Sequence, residues 1–64
     1  MEKWIGDIVG RMHINGITQI ELANKMNVTN DYISMILNGK RNPKGAKDRI
    51  NTAIDEIIAE RKGG

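Results

Sequence analysis

The stretch QIELANKMNVTNDYISMILNGKR, Gln19 to Arg41, holds two short apolar rhythms separated by Met26-Asn27-Val28. Leu22, Ala23 and Met26 share one face of a first helix, and Ile33, Ile36 and Leu37 share one face of a second. Each rhythm is preceded by a start signal. Thr18-Gln19-Ile20-Glu21 has the pattern of a capping box, and Ile17 and Leu22 stand where a hydrophobic staple belongs. Thr29 heads the second helix, with Val28 and Ile33 as its staple pair. Asn27 falls at the turn, where the left-handed conformation costs Asn less than other residues with a Cβ. Asn38-Gly39 stops the second helix. At about 100° per residue, Asp31, Ser34, Met35 and Asn38 lie opposite the apolar face, and Asn30 projects from the first turn. A core has no need of that second, polar flank.

Outward from this pair, two more helices are expected. Trp4, Ile5, Ile8, Val9 and Met12 form an amphipathic stripe from Glu2 to about Arg11 or Met12. Gly6 weakens that helix by ~1 kcal/mol, and His13, Asn15 and Gly16 read as its end. Beyond Gly39, residues 40–45 form a basic loop containing Pro43. A long helix over 45–61 then carries Ala46, Ile50, Ala53, Ile54, Ile57 and Ile58 on one stripe. Lys62-Gly63-Gly64 is expected to fray. No segment alternates with the period of a strand. The expected fold is all-α: a small bundle of four to five helices in one domain over 1–64, with the helix-turn-helix at 18–39.

Sixty-four residues make at most one domain with a small core. The absence of Cys removes disulfides and thiolate metal sites as supports. One Trp, one Tyr and no Phe argue against stacking on unpaired bases. No apolar run approaches the ~18 residues of a membrane span, and no leader opens the chain, so a soluble, cytoplasmic protein is expected. Net charge is only +2, yet residues 40–49 carry +4, from Lys40, Arg41, Lys44, Lys47 and Arg49 against Asp48. A concentrated positive segment draws polyanions more strongly than total charge suggests.

Thr18 to Arg41 resembles the helix-turn-helix of the Cro/repressor-like (XRE) family of bacteria and their phages. Thr18-Gln19, Glu21-Leu22-Ala23, Val28, Ile33-Ser34, Ile36-Leu37 and Asn38-Gly39-Lys40-Arg41-Asn42-Pro43 carry the resemblance. It implies a lambda-repressor-like DNA-binding domain and a transcription regulator, with repression favoured over activation. Two features depart from the family. Asn27 stands where the turn usually has Gly, and everything after Pro43 reads as one helix where the family has two. No ligand-binding or protease-like domain follows, so a minimal repressor of Cro size is expected.

The resemblance implies that the second helix enters the major groove, its first residues meeting base edges. The base-contacting candidates are Thr29, Asn30, Asp31, Ser34 and Met35. Asn30 can pair with adenine, a contact worth ~1–3 kcal/mol of discrimination, or bond its own backbone. Asp31 can accept from cytosine or favour the helix N-terminus electrostatically. Met35 can meet a thymine methyl or stand free in solvent. The phosphate-contacting candidates are Gln19, Tyr32, Asn38, Lys40, Arg41 and Lys44. The Tyr32 ring can instead cover the corner between the helices. Lys47 and Arg49 can equally lie on a solvated face.

The partners expected are a double-stranded, dyad-symmetric operator and a second copy of the chain, with Ile54, Ile57 and Ile58 as the dimer surface and Trp4 and Ile5 beside them. The alternative is a protein-interaction module, antirepressor or antitoxin-like, that keeps the helix pair as scaffold. No cofactor, metal, membrane or small-molecule ligand is expected. His13 is the only histidine, and the carboxylates are dispersed without a nucleophile–base pair, which argues against an enzyme.

Overall fold

Four helices, joined by turns and one longer loop, account for the chain in a computed structural model that describes residues 2–63. They are α1 (Lys3–Ile14), α2 (Gln19–Met26), α3 (Asn30–Leu37) and α4 (Ala46–Gly63). The described residues contain no strand, and the region after Pro43 is a single helix. α1 ends two or three residues later than expected, at Ile14, and α4 runs through Lys62 to Gly63 where fraying was expected. Gly64 lies outside the described residues. No helix among them is long and apolar enough to cross a membrane.

One turn chemistry ends three of the four helices. Ile17 N–H donates to Met12 O (2.8 Å) and Gly16 N–H to His13 O (3.2 Å). Val28 N–H donates to Ala23 O (3.0 Å) and Asn27 N–H to Asn24 O (3.2 Å). Lys40 N–H donates to Met35 O (2.8 Å) and Gly39 N–H to Ile36 O (3.1 Å). These are three Schellman motifs, with Gly16 (φ 64°), Asn27 (φ 58°) and Gly39 (φ 77°) in the left-handed region. The first two lead into Ile17, which is buried, and Val28, which packs against the core. The third leads into Lys40, which is exposed. The same turn therefore tucks the chain inward twice and then throws it out into solvent as the basic loop.

Ile8, Leu22, Ile33, Ile36, Ile50 and Ile54 are the largest side chains fully buried in the core. Ala23 is 2% exposed and lets α3 cross closely over α2, while Ile33, at 0%, plugs the angle between them. Val9 is 45% exposed, so α1 buries a narrower stripe than its sequence suggests: Ile5, Ile8 and Met12. Trp4 is half-buried against the core.

Burial along α4 corrects the expected dimer surface. Ile54 is 0% and Ile57 4% exposed, inside the chain's own core, and Ile5 is buried with them. Only Ile58 is half-buried. The apolar residues late in α4 are used because α4 is the longest helix and both α1 and α2 pack along it.

Polar links run over that packing. Arg61 donates to Glu21 Oε1 (2.7 Å) and Oε2 (2.9 Å) and to the carbonyls of Asn15 and Gly16. Lys25 pairs with Glu60, and that hydrogen bond holds its ammonium above the ordinary lysine pKa. Arg11 pairs with Asp55 and donates to Asn51. The expected capping box at Thr18 is thereby half realised. Thr18 Oγ1 accepts from Glu21 N–H at 3.0 Å, but the Glu21 carboxylate turns to Arg61, a cationic partner that outcompetes a backbone amide.

Candidate nucleic-acid interface

The site is built on α3, and α3 is positioned by its apolar half. Ile33, Ile36 and Leu37 are buried, which fixes its rotation and leaves Asn30, Asp31 and Met35 exposed. Thr29 Oγ1 accepts from Tyr32 N–H at 3.1 Å, so Thr29 starts the helix while remaining exposed at its head. Ser34 is half-buried, and its Oγ accepts from Asn38 Nδ2 at 3.2 Å. Of the five base-contacting candidates, Thr29 at the head of α3 and Asn30, Asp31 and Met35 along it are open to solvent, and Ser34 is partly covered.

One contact on that side was not legible in the sequence. Gln19, in the first turn of α2, donates from Nε2 to Asn30 Oδ1 at 3.2 Å. An amide oxygen has two lone pairs and an amide nitrogen two donors. Asn30 therefore keeps one acceptor position and its full donor capacity while being oriented from the neighbouring helix. No motif announces such a pair, because the partners are eleven residues apart and meet only once the two helices cross.

The cationic segment begins at the other end of α3. Lys40 N–H and Arg41 N–H both donate to Met35 O, at 2.8 and 3.2 Å, which ties the first two basic residues to the last turn of the helix. The Arg41 guanidinium lies 5.3 Å from the Tyr32 ring centroid, a cation–π contact that holds the charge beside α3. Tyr32 is half-buried against the core, and its ring also serves as a platform for Arg41. Asn42 Nδ2 donates to Glu2 Oε1 at 3.1 Å, pinning the middle of the loop to the start of α1. Lys44 is exposed just ahead of α4, and Lys47 and Arg49 are exposed on it.

The remaining phosphate candidates, Gln19 and Asn38, line one open groove between α1, the start of α2 and the end of α3. Among the described residues, no three His, Cys, Asp or Glu side chains gather as a metal ion would require.

A polar helix flank, a close two-helix crossing and an adjoining cationic loop form the arrangement by which a helix reads duplex DNA. A family model described as Helix-turn-helix matches residues 14–47, more than half of the chain. The chain belongs to the Cro/C1-type helix-turn-helix family. Comparison with curated proteins and with solved structures returned no match. The matched span takes in α2 and α3 and closes just inside α4. The family is one of DNA-binding regulators, and in this chain Asn27 adopts the left-handed turn conformation without glycine.

Proposed function

We propose that the chain is a sequence-specific, double-stranded-DNA-binding regulator of transcription that places α3 in the major groove. The observation that carries this reading is the exposed flank of α3, Asn30, Asp31 and Met35, beside a basic loop hydrogen-bonded to the same helix. Thr29, Asn30, Asp31, Ser34 and Met35 would read bases. Gln19, Tyr32, Asn38, Lys40, Arg41 and Lys44 would hold phosphates. Phosphate contacts fix register and provide the salt-sensitive affinity, while base contacts choose sequence. Asp31 would accept from a cytosine amine, since acceptance is the one thing a carboxylate offers a base edge.

The proposed action is occlusion of a promoter, as a Cro-type repressor working in the cytoplasm. A single α3 spans few base pairs, so selectivity would come from two copies on a dyad-symmetric operator, with half-sites ~34 Å apart. The copies would meet through a face other than Ile54 and Ile57; of the residues first expected there, Ile58 still presents atoms to a partner.

Selection of bound duplexes from a randomised pool, followed by sequencing, tests the reading. The expected result is an enriched motif with dyad symmetry about one helical turn apart, bound with an affinity that falls steeply as salt rises. Recovery of the input pool unchanged, with no salt-sensitive binding, would overturn it.

A further inference from the structure

The groove shared by Gln19 and Asn38 has a third polar member. His13, in the last turn of α1, lines it with them, and the space measures about 550 Å³. Three helices thus each contribute one hydrogen-bonding side chain: His13 from α1, Gln19 from α2 and Asn38 from the end of α3. Between them lie the apolar surfaces of Val9 and Leu37 and the bare backbone of Gly6. A Cβ at Gly6 would meet nothing within 4 Å, so the chain's own packing does not require glycine there.

Among the described residues, no carboxylate lines the groove. Of the acids on neighbouring elements, Glu21 of α2 is engaged by Arg61, and Asp55 and Glu60 of α4 by Arg11 and Lys25, while Asp48 and Glu56 of α4 line a different pocket. Asp31 stands at the opposite end of α3 from Asn38, and Asp7 of α1 is outside the groove lining. The cations closest in sequence to the groove, Arg11 and Lys40, flank His13 and Asn38. A protonated imidazole at this position would face two neutral amides and an apolar floor, with no anion among the described residues that line the groove.

We propose that this groove seats one stretch of the DNA sugar–phosphate backbone and that His13, when protonated, contacts its phosphate, making DNA affinity proton-linked. The inference rests on the proposed DNA-binding function and extends it to α1. The deoxyribose would lie against Val9, whose side chain is 45% exposed, and the phosphate oxygens would accept from His13, Gln19 and Asn38. An imidazolium donates from both nitrogens, and histidine is the side chain whose charge ordinarily changes between about pH 5 and 8. The phosphate favours the charged ring, so binding takes up a proton and strengthens as pH falls. His13 is the only histidine, so one substitution removes the effect.

The test measures binding of the full chain to a mixed-sequence duplex, by fluorescence anisotropy at fixed salt, from about pH 8 down to about pH 5.5. Wild type is expected to tighten by about three- to tenfold across that range. His13→Gln should bind with the weaker, high-pH affinity throughout. His13→Lys, charged at every pH used, should bind with the stronger affinity and no pH dependence. Circular dichroism should show all three folded, since the side chain is exposed. A duplex affinity that does not vary with pH, or that varies equally in His13→Gln, overturns the inference and leaves the DNA-binding reading standing. Absence of duplex binding at every pH and at low salt overturns both.

Discussion

Asn30 and Arg41 flank α3 from its two ends, and the proposed function gives them different work. Asn30 is oriented by Gln19 and carries free donors and an acceptor on an exposed helix face. Arg41 carries a charge held over Tyr32. Asn30→Ala should therefore relax sequence preference, by ~1–3 kcal/mol of discrimination, with little change in salt dependence. Arg41→Ala should weaken every duplex alike and lower the salt slope by about one. Gln19→Ala should reproduce part of the Asn30→Ala effect, and the double variant should lose less than the two single losses added, because an undirected Asn30 has less to lose. Titrations of cognate and mixed duplexes at several salt concentrations read all of these. Identical behaviour of Asn30→Ala and Arg41→Ala would refute the division between reading and anchoring.

At the scale of the elements, the turn between α2 and α3 sets the angle at which α3 is presented. Its left-handed residue is Asn27, with φ 58° and ψ 44°. Asn accepts that conformation better than most residues, and Gly accepts it without a Cβ penalty. Asn27→Gly should keep or raise stability, by up to ~1 kcal/mol, and Asn27→Ala should lower it by about 1 kcal/mol. Thermal melts monitored by circular dichroism distinguish the two. If Ala were tolerated as well as Gly, the turn geometry would be wrong. The turns at Gly16 and Gly39 share the hydrogen-bond pattern but differ in the next residue, Ile17 in one and Lys40 in the other. That residue decides whether the chain returns to the core or leaves it as a charged loop.

For the molecule as a whole, α4 acts as the spine. Ile50, Ile54 and Ile57 are buried along it, and its last turns are ion-paired to α2 through Lys25–Glu60 and Glu21–Arg61. These pairs are partly exposed and screened by solvent, so burial is the larger share. Ile57→Ala should cost ~2–5 kcal/mol, and Ile57→Asp, which buries a charge without a partner, should leave the chain unfolded at ordinary temperature. Circular dichroism and light scattering together check this. A folded Ile57→Asp chain that had merely changed its association state would contradict the placement of Ile57 in the core.

Local grammar was readable along the chain because its partners are neighbours in sequence. The Thr18 and Thr29 caps, the left-handed Asn27, the Asn38-Gly39 stop and the polar flank of α3 all arise from bonds and periodicities within about five residues. The matched family span contains the same stretch. Ile54 and Ile57 were misread as an outer surface, since an apolar stripe looks the same whether a partner helix or the chain's own α1 and α2 covers it. Glu21 turning to Arg61, forty residues away, and Gln19 reaching Asn30 depend on how helices cross. So does the meeting of His13, Gln19 and Asn38 in one groove. Sequence determined which helices form and where they end, because short-range hydrogen bonds and caps are written in consecutive residues. Only tertiary structure decided which faces meet, because burying apolar area rewards any compatible face and the choice among them is made by the whole bundle at once.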